Sequence, residues 1–307
     1  MNLGLGSVQF GTAYGVTNAG GVVPGDEVGT ILALAAQRGV RVIDTAHLYG
    51  NAEAVLGREL PRPHSFRIVT KTPKFAGAGD AGAVSGALAA ALEASLGALG
   101  EDRVAGLIVH DCGDLLGRHG DALWAALEAH RAAGAVERIG ASVYNGAEID
   151  ALLERYPLEL VQLPLNVLDR RLVVGGQLAR LVAAGVEVHV RSVFLQGLVL
   201  TQPDRLDARF SALRGPLAAL RAALTAAGLG VVEGALRAVG GLPGIGTIVV
   251  GVTSAAEFRE ILDAAERAES SLPRIDFESF GCDDERLLNP ARWAELEPIA
   301  TSTESPT

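Results

Sequence analysis

The feature that most constrains this chain is a regular alternation of two patterns. Short runs of β-branched and aliphatic residues are each followed by a longer stretch with helical spacing. The runs are LGLGSVQ (3–9), VRVID (40–44), FRIVTK (66–71), VAGLIVH (104–110), ERIGASV (137–143), ELVQLP (159–164), VEVHVRS (186–192) and GTIVVG (246–251). All but the first, which is richer in glycine, have the composition of parallel strands buried on both faces. Among the helical stretches, EVGTILALAAQRG (27–39), AVSGALAAALEASLGALG (83–100) and DALWAALEAHRAAG (121–134) each end in glycine, the usual helix stop. Eight strand–helix units in 307 residues predict an α/β chain folded as a single (β/α)8 barrel. A doubly wound open sheet is the rival, but no GxGxxG turn follows the first strand. The segment FLQGLVLTQPDRLDARFSALRG (194–215) is an unusually long loop, of the kind that carries function. KFAGAGDAGAVSGALAA (74–90) reads as a loop running into a helix.

Composition narrows the classes of function. Hydrophobic residues make up 49% of the chain and aromatics 5%, so Ala, Val and Leu must fill the core. A net charge of −10 argues against a nucleic-acid partner, which needs a basic face. Cys112 and Cys282 form no CxxC or Cys/His spacing, which fits a reduced, cytoplasmic protein. With six His and none in paired spacing at a strand end, no metal site is expected, and a metal-dependent barrel hydrolase is set aside. The start, MNLGLGSVQFG, lacks the basic and apolar regions of a signal peptide. No uninterrupted apolar run of about 18 residues suggests a membrane span. The ending TSTESPT is polar, so a domain over 1–295 and a disordered tail over 296–307 are expected.

In a (β/α)8 barrel, reactive groups collect where strands end. Strand two ends in Asp44, with His47 and Tyr49 in its loop; strand three ends in Lys71; strand four ends in His110 and Asp111. Beyond them come Ser142, Tyr144 and Asn145, then Gln162, Asn166 and Asp169, then Arg191 and Ser192. Singly, each has an ordinary reading as a solvated charge, a helix cap or a structural histidine. Together, Asp44, Tyr49, Lys71 and His110 would face one mouth. A phenol titrates near ~10 and needs a neighbouring cation to favour its anion. Lys71 would supply that cation, Asp44 would hold Lys71, and His110 would orient a substrate carbonyl towards Tyr49.

These residues resemble the aldo-keto reductase superfamily over about residues 1–295. The resemblance is carried by LGLGSVQFGTAYG, by VIDTAHLYGNAEAVLG with Asp44 and Tyr49, by IVTKTP with Lys71 and by GLIVHD with His110. GASVYN (140–145), LVQLPLNVLDRR (160–171) and TIVVGVTSAAEF (247–258) resemble the family's cofactor-side segments. The likeness implies an NAD(P)-dependent enzyme reducing an aldehyde or ketone, with Tyr49 as proton donor. RSVFLQGLVL and FGCDDERLLNPARW resemble a bacterial branch associated with sugar and natural-product intermediates. A redox-assisted isomerase or epimerase, or a non-catalytic nicotinamide-binding regulatory subunit, remain the alternatives.

The resemblance also implies a cofactor set. Ser142 and Gln162 would hold the nicotinamide carboxamide. Ser192, Phe194, Gln196 and Gly197 belong to the long loop expected to cover the pyrophosphate. Three departures stand out. Family members commonly carry Asn directly after the strand-five Ser; here Val143 follows and Asn145 comes later. The aromatic that usually stacks on the nicotinamide aligns with Arg191, leaving Arg191 or Phe194 to cover the ring. NADPH-preferring members place Lys or Arg after strand eight; here Gly251, Thr253, Ser254 and Glu257 occupy that segment. NADPH is the family default, and the Glu257 carboxylate keeps NADH open. His47 is a further candidate for the substrate mouth, Cys112 is expected to pack behind the site, and Trp124 and Trp293 read as packing anchors. The partner is a small-molecule carbonyl compound, and the chain is a monomer or a small homo-oligomer.

Overall fold

The glycines of β1 (Leu3–Gly6) leave room for side chains of the strand beside them. A Cβ on Gly4 would come within 2.7 Å of Thr247 Cγ2, and one on Gly6 within 3.2 Å of Val249 Cγ1. Leu3 and Leu5 alternate with them and are buried in the layer beneath the outer helices. The run that looked least like a strand is therefore the one that closes the sheet. β1 pairs in parallel with both β2 (Val42–Asp44) and β8 (Ile245–Gly251).

The structure is a computed structural model, and it describes residues 1–75, 77–268 and 275–296. Between β2 and β8 come β3 (Arg67–Lys71), β4 (Gly106–Val109), β5 (Ile139–Ser142), β6 (Leu160–Pro164) and β7 (Glu187–Arg191). Each strand pairs in parallel with the next, giving a closed barrel in the order β1 to β8. All eight expected strands are present; seven are trimmed by one to three residues at one or both ends, and the eighth begins one residue earlier than expected. Val8 and Gln9, expected in the first strand, belong to the helical turn Val8–Gly11 instead. The outer ring is made by helices Gly25–Gln37, Ala52–Glu59, Ala81–Leu99, Gly120–Ala132, Gly146–Arg155, Gln177–Ala183, Val231–Gly240 and Ala255–Ala268. Gly100 ends its helix in the left-handed conformation at φ 66°, as the glycine stop requires.

Apolar packing falls into three layers. Val69, Ile108 and Leu160, with Val42 against them, fill the barrel interior. A much larger cluster lies between strands and helices. A third joins the loop after β7, the helix Arg214–Ala226 and the C-terminal segment, where Phe210 meets Trp293 edge-on at 4.9 Å. The helix Ala81–Leu99 is long and apolar enough to cross a membrane by length and composition alone. Here it is part of the barrel's outer ring, burying Val84, Leu88, Leu92, Ser95 and Leu99 at four- and three-residue spacing. The long segment 194–215 is an ordered series of 3₁₀ turns, Leu195–Gly197, Pro203–Arg205 and Ala208–Leu213, before its helix begins. Trp124 stacks on Tyr156 at 5.0 Å, and both tryptophans are packing anchors. Of the expected tail, residues 297–307 lie outside the described residues.

Candidate active site

Side chains in a strand alternate between faces, so the residue two positions beyond an interior one also faces the interior. Val42, Val69, Ile108 and Leu160 form the apolar plug, and two residues further on stand Asp44, Lys71, His110 and Gln162. The same step places Gly6, Ser142, Arg191 and Gly251 at the ends of the other four strands. All eight residues, one from each strand, line a single cavity of about 570 Å³. An apolar floor beneath a polar ring follows directly from strand periodicity.

The ring is tightly organised around one ion pair. Lys71 Nζ donates to Asp44 Oδ1 at 2.7 Å, to Asp44 Oδ2 at 2.8 Å and to the Thr45 carbonyl at 2.9 Å. Both side chains are almost fully buried. Burial alone would lower the Lys71 pKa, but Asp44 and then Tyr49 outweigh it and leave it above the ordinary value. Lys71 is therefore a permanent cation. Its ammonium stands 4.9 Å from the Tyr49 ring centre. Tyr49 in turn meets the His110 ring edge-on, 5.7 Å between centres and 84° between planes.

The electrostatics differ from the sequence expectation in one respect. Lys71 does pull the Tyr49 pKa down, yet desolvation is the larger effect and leaves it raised. Tyr49 is thus held as a protonated phenol near neutrality. His110 is pushed down to about 4, first by burial and then by the Lys71 charge, so its imidazole is neutral near pH 7. Its Nδ1 is buried without a partner among the described residues.

The comparisons agree with this geometry. Residues 2–276 match the model of the aldo/keto reductase family. The chain belongs to the aldo/keto reductase family. Solved structures with the same fold include an aldo-keto reductase of Bacillus halodurans, AKR11C1, in holo form. It is 19% identical with a TM-score of 0.71, and the match covers 91% of this chain and 90% of that one. A Pseudomonas aeruginosa protein assigned to the aldo-keto reductases is 21% identical with a TM-score of 0.65, over 87% of this chain and 90% of that one. Among curated protein sequences none matches. Membership of the family carries carbonyl oxidoreductase chemistry in general terms.

In this aldo/keto reductase the four residues expected to be catalytic and most of the expected cofactor residues share one cavity. Ser142, Gln162, Arg191, Ser192, Phe194, Gln196, Gly197, Gly251, Thr253 and Glu257 all line it with Asp44, Tyr49, Lys71 and His110. Ser254 does not; its hydroxyl accepts from the Glu257 amide at 3.1 Å and caps the helix. Asn145 also lies elsewhere, in a capping box with Glu148, so it does not replace the Asn missing after Ser142. Asn166 shapes the neighbouring loop by accepting from the Leu168 and Asp169 amides and donating to the Ser192 carbonyl at 3.1 Å. His47 is off the cavity wall, within 3.5 Å of Ser95 Oγ. Cys112 is buried and its thiol pKa is raised by desolvation.

Sequence reading missed the loop after β1 as a wall. Tyr14, Thr17 and Asn18 line the cavity, and Gln196 Nε2 donates to the Tyr14 hydroxyl at 3.1 Å. Thr17 Oγ1 donates to the Gln196 carbonyl at 3.4 Å, so loops about 180 residues apart in the chain meet over the cavity. The β7 loop is bent to make this contact: Ser192, Leu195 and Gln196 have φ of 63°, 46° and 52°. Strain of this kind collects at functional sites. The sole sequence signal was the tyrosine–glycine pair in TAYG. Glu53, in the first turn of the helix Ala52–Glu59, is buried and accepts from Thr70 Oγ1 at 2.6 Å and Ser95 Oγ at 2.9 Å.

Proposed function

We propose that this protein is an NAD(P)H-dependent carbonyl reductase. The observation that carries the reading is the protonated Tyr49 phenol beside a neutral His110 and the buried Lys71–Asp44 pair. A carbonyl compound entering the cavity meets an acid on Tyr49 and a neutral imidazole on His110. Tyr49 gives its proton to the carbonyl oxygen. Lys71, held by Asp44, stabilises the phenolate left behind. His110 orients the carbonyl by hydrogen bonding. When bound, a reduced nicotinamide supplies the hydride.

The residues present fit that group. Gln162 is buried and its Oε1 has no partner among the described residues, an acceptor suited to a carboxamide N–H. Ser142 stands next to it on β5 in register with Gln162. Ser192, Phe194, Gln196 and Gly197 form the wall that would cover the pyrophosphate.

NADPH is the family's usual coenzyme, but the adenosine end here favours NADH. Glu257 Oε2 accepts from the Thr253 amide at 2.7 Å and its hydroxyl at 2.9 Å, while Glu27 Oε1 accepts from the Ala255 amide at 2.6 Å. The helix-start amides that would greet a 2′-phosphate are already taken by two carboxylates. The substrate we favour is a sugar or natural-product carbonyl intermediate, on the strength of the branch resemblance. The deciding experiment is coenzyme binding together with Tyr49→Phe. Micromolar binding of NADH, with turnover on an aldehyde and ketone panel lost in Tyr49→Phe while coenzyme affinity holds, supports the reading. Retained turnover in that variant, or no coenzyme binding by folded wild type, would overturn it.

A further inference from the structure

The charges at the catalytic end of the cavity do not cancel. Asp44 and Lys71 neutralise each other, and His110 is uncharged near neutrality. Arg191 is left over. Its Nη2 donates to the Val143 carbonyl at 3.0 Å and its Nη1 reaches the Ser192 hydroxyl at 3.4 Å. Its guanidinium lies 4.2 Å from the centre of the Tyr144 ring. These partners are neutral, and no carboxylate pairs with Arg191 among the described residues. Glu257, another acid lining the cavity, lies in the first turn of the helix after β8 and is engaged with Thr253.

The guanidinium is also fixed in place. Tyr144 supports one face and Val143 holds one edge. Val143 directly follows Ser142, whose neighbour in the sheet is Gln162. Arg191 therefore presents a full positive charge beside the two residues given above to the nicotinamide carboxamide. The ring of a reduced nicotinamide is neutral, and that of the oxidised form carries one positive charge. A cation attracts a neutral π-face and repels a cationic one.

Resting on the reductase reading, we propose that Arg191 selects the oxidation state of the coenzyme. Its unneutralised guanidinium favours the reduced form and disfavours the oxidised form, which biases the enzyme towards carbonyl reduction and hastens release of spent coenzyme. In that reaction the carbonyl carbon gains a hydride, with its two electrons, and the oxygen gains the Tyr49 proton. The coenzyme ring then bears one more positive charge, the species Arg191 repels. The aromatic residue common at this position in relatives has no such preference by charge.

The test is the ratio of dissociation constants for NAD+ and NADH, measured by isothermal titration calorimetry. Both share one adenosine end, so effects of Glu257 and Glu27 cancel. The wild type is expected to bind NADH at least tenfold more tightly. Arg191→Met and Arg191→Gln should each reduce that ratio about tenfold, equivalent to about 30 mV in the potential of the bound couple. Arg191→Lys should retain it within about threefold. Glutamine keeps a donor for the Val143 carbonyl, so it decides the matter if the methionine variant fails to fold. A ratio in the folded neutral variant within twofold of wild type would overturn the proposal. Failure of wild type to bind either coenzyme would instead strike the reductase reading itself.

Discussion

Gln162 Nε2 donates to Asp44 Oδ1 at 2.6 Å, joining residues 118 apart in the chain and four strands apart in the barrel. The Asp44 carboxylate thus has donors from both Lys71 and Gln162, and the two ends of the cavity floor are mechanically linked. The residue proposed to seat the coenzyme also steadies the carboxylate that holds Lys71.

Replacing Gln162 with Leu should weaken NADH binding about tenfold, or ~1.4 kcal/mol, because the acceptor aimed at the carboxamide is lost. Lys71 would still pair Asp44, so the protein should remain folded. Fluorescence titration of bound dihydronicotinamide measures this. An unchanged dissociation constant would remove Gln162 from the coenzyme seat.

Lys71→Met should cost about 3–5 kcal/mol of stability, since it strands a buried carboxylate on Asp44. Adding Asp44→Asn to that variant should restore part of the loss, as no uncompensated charge remains. Urea unfolding reads both. A single-variant cost under about 1 kcal/mol would contradict a buried, tightly bonded pair.

His110 links stability to pH. Its folded pKa of about 4 lies below the ordinary ~6.5, so between those values the unfolded chain binds a proton that the folded one refuses. Stability from this group is therefore fully present above about pH 6.5 and is lost as pH falls towards 4. The loss should be of the order of 3 kcal/mol and should be absent in His110→Asn. Denaturant unfolding of both proteins at pH 7 and pH 4.5 tests it; equal pH dependence would refute it. The reductive rate should stay level across the neutral range, because Tyr49, raised by burial, keeps its proton there.

Glu257→Gln should tighten NADPH several-fold while shifting NADH by less than about twofold, by removing a repulsion from the place where the 2′-phosphate would sit. The amide oxygen still caps Thr253, so the helix start should survive. Glu257→Arg should shift the preference further in the same direction. Parallel titrations with both coenzymes decide it. Equal relative constants would mean that the 2′-phosphate lies away from this helix.

Much of the fold was legible because it is written at short range. Alternating strand and helix patterns marked eight units, and the glycine ends of several helices marked their stops. The gathering of Asp44, Lys71, His110 and Tyr49 in one cavity was legible because three stand at consecutive strand ends and Tyr49 lies in the loop after Asp44. Ser254, expected in the cofactor set, caps a helix instead, because a cap and a ligand look alike in a chain of letters; which role a side chain takes depends on what stands opposite. The β1-loop wall of Tyr14, Thr17 and Asn18 had no local pattern, since its partner Gln196 lies in a distant loop.

The sequence by itself determined the barrel, the apolar plug and the identity of the polar ring, because strand periodicity is a local property of neighbouring residues. Tertiary structure decided the charge state and the company of those residues. Desolvation left Tyr49 protonated against the pull of Lys71, and took the charge from His110. Closure of the barrel brought Gln162 onto Asp44 and left Arg191 without an acidic partner among the described residues. Burial and long-range pairing are properties of the folded whole, so no spacing in the chain records them.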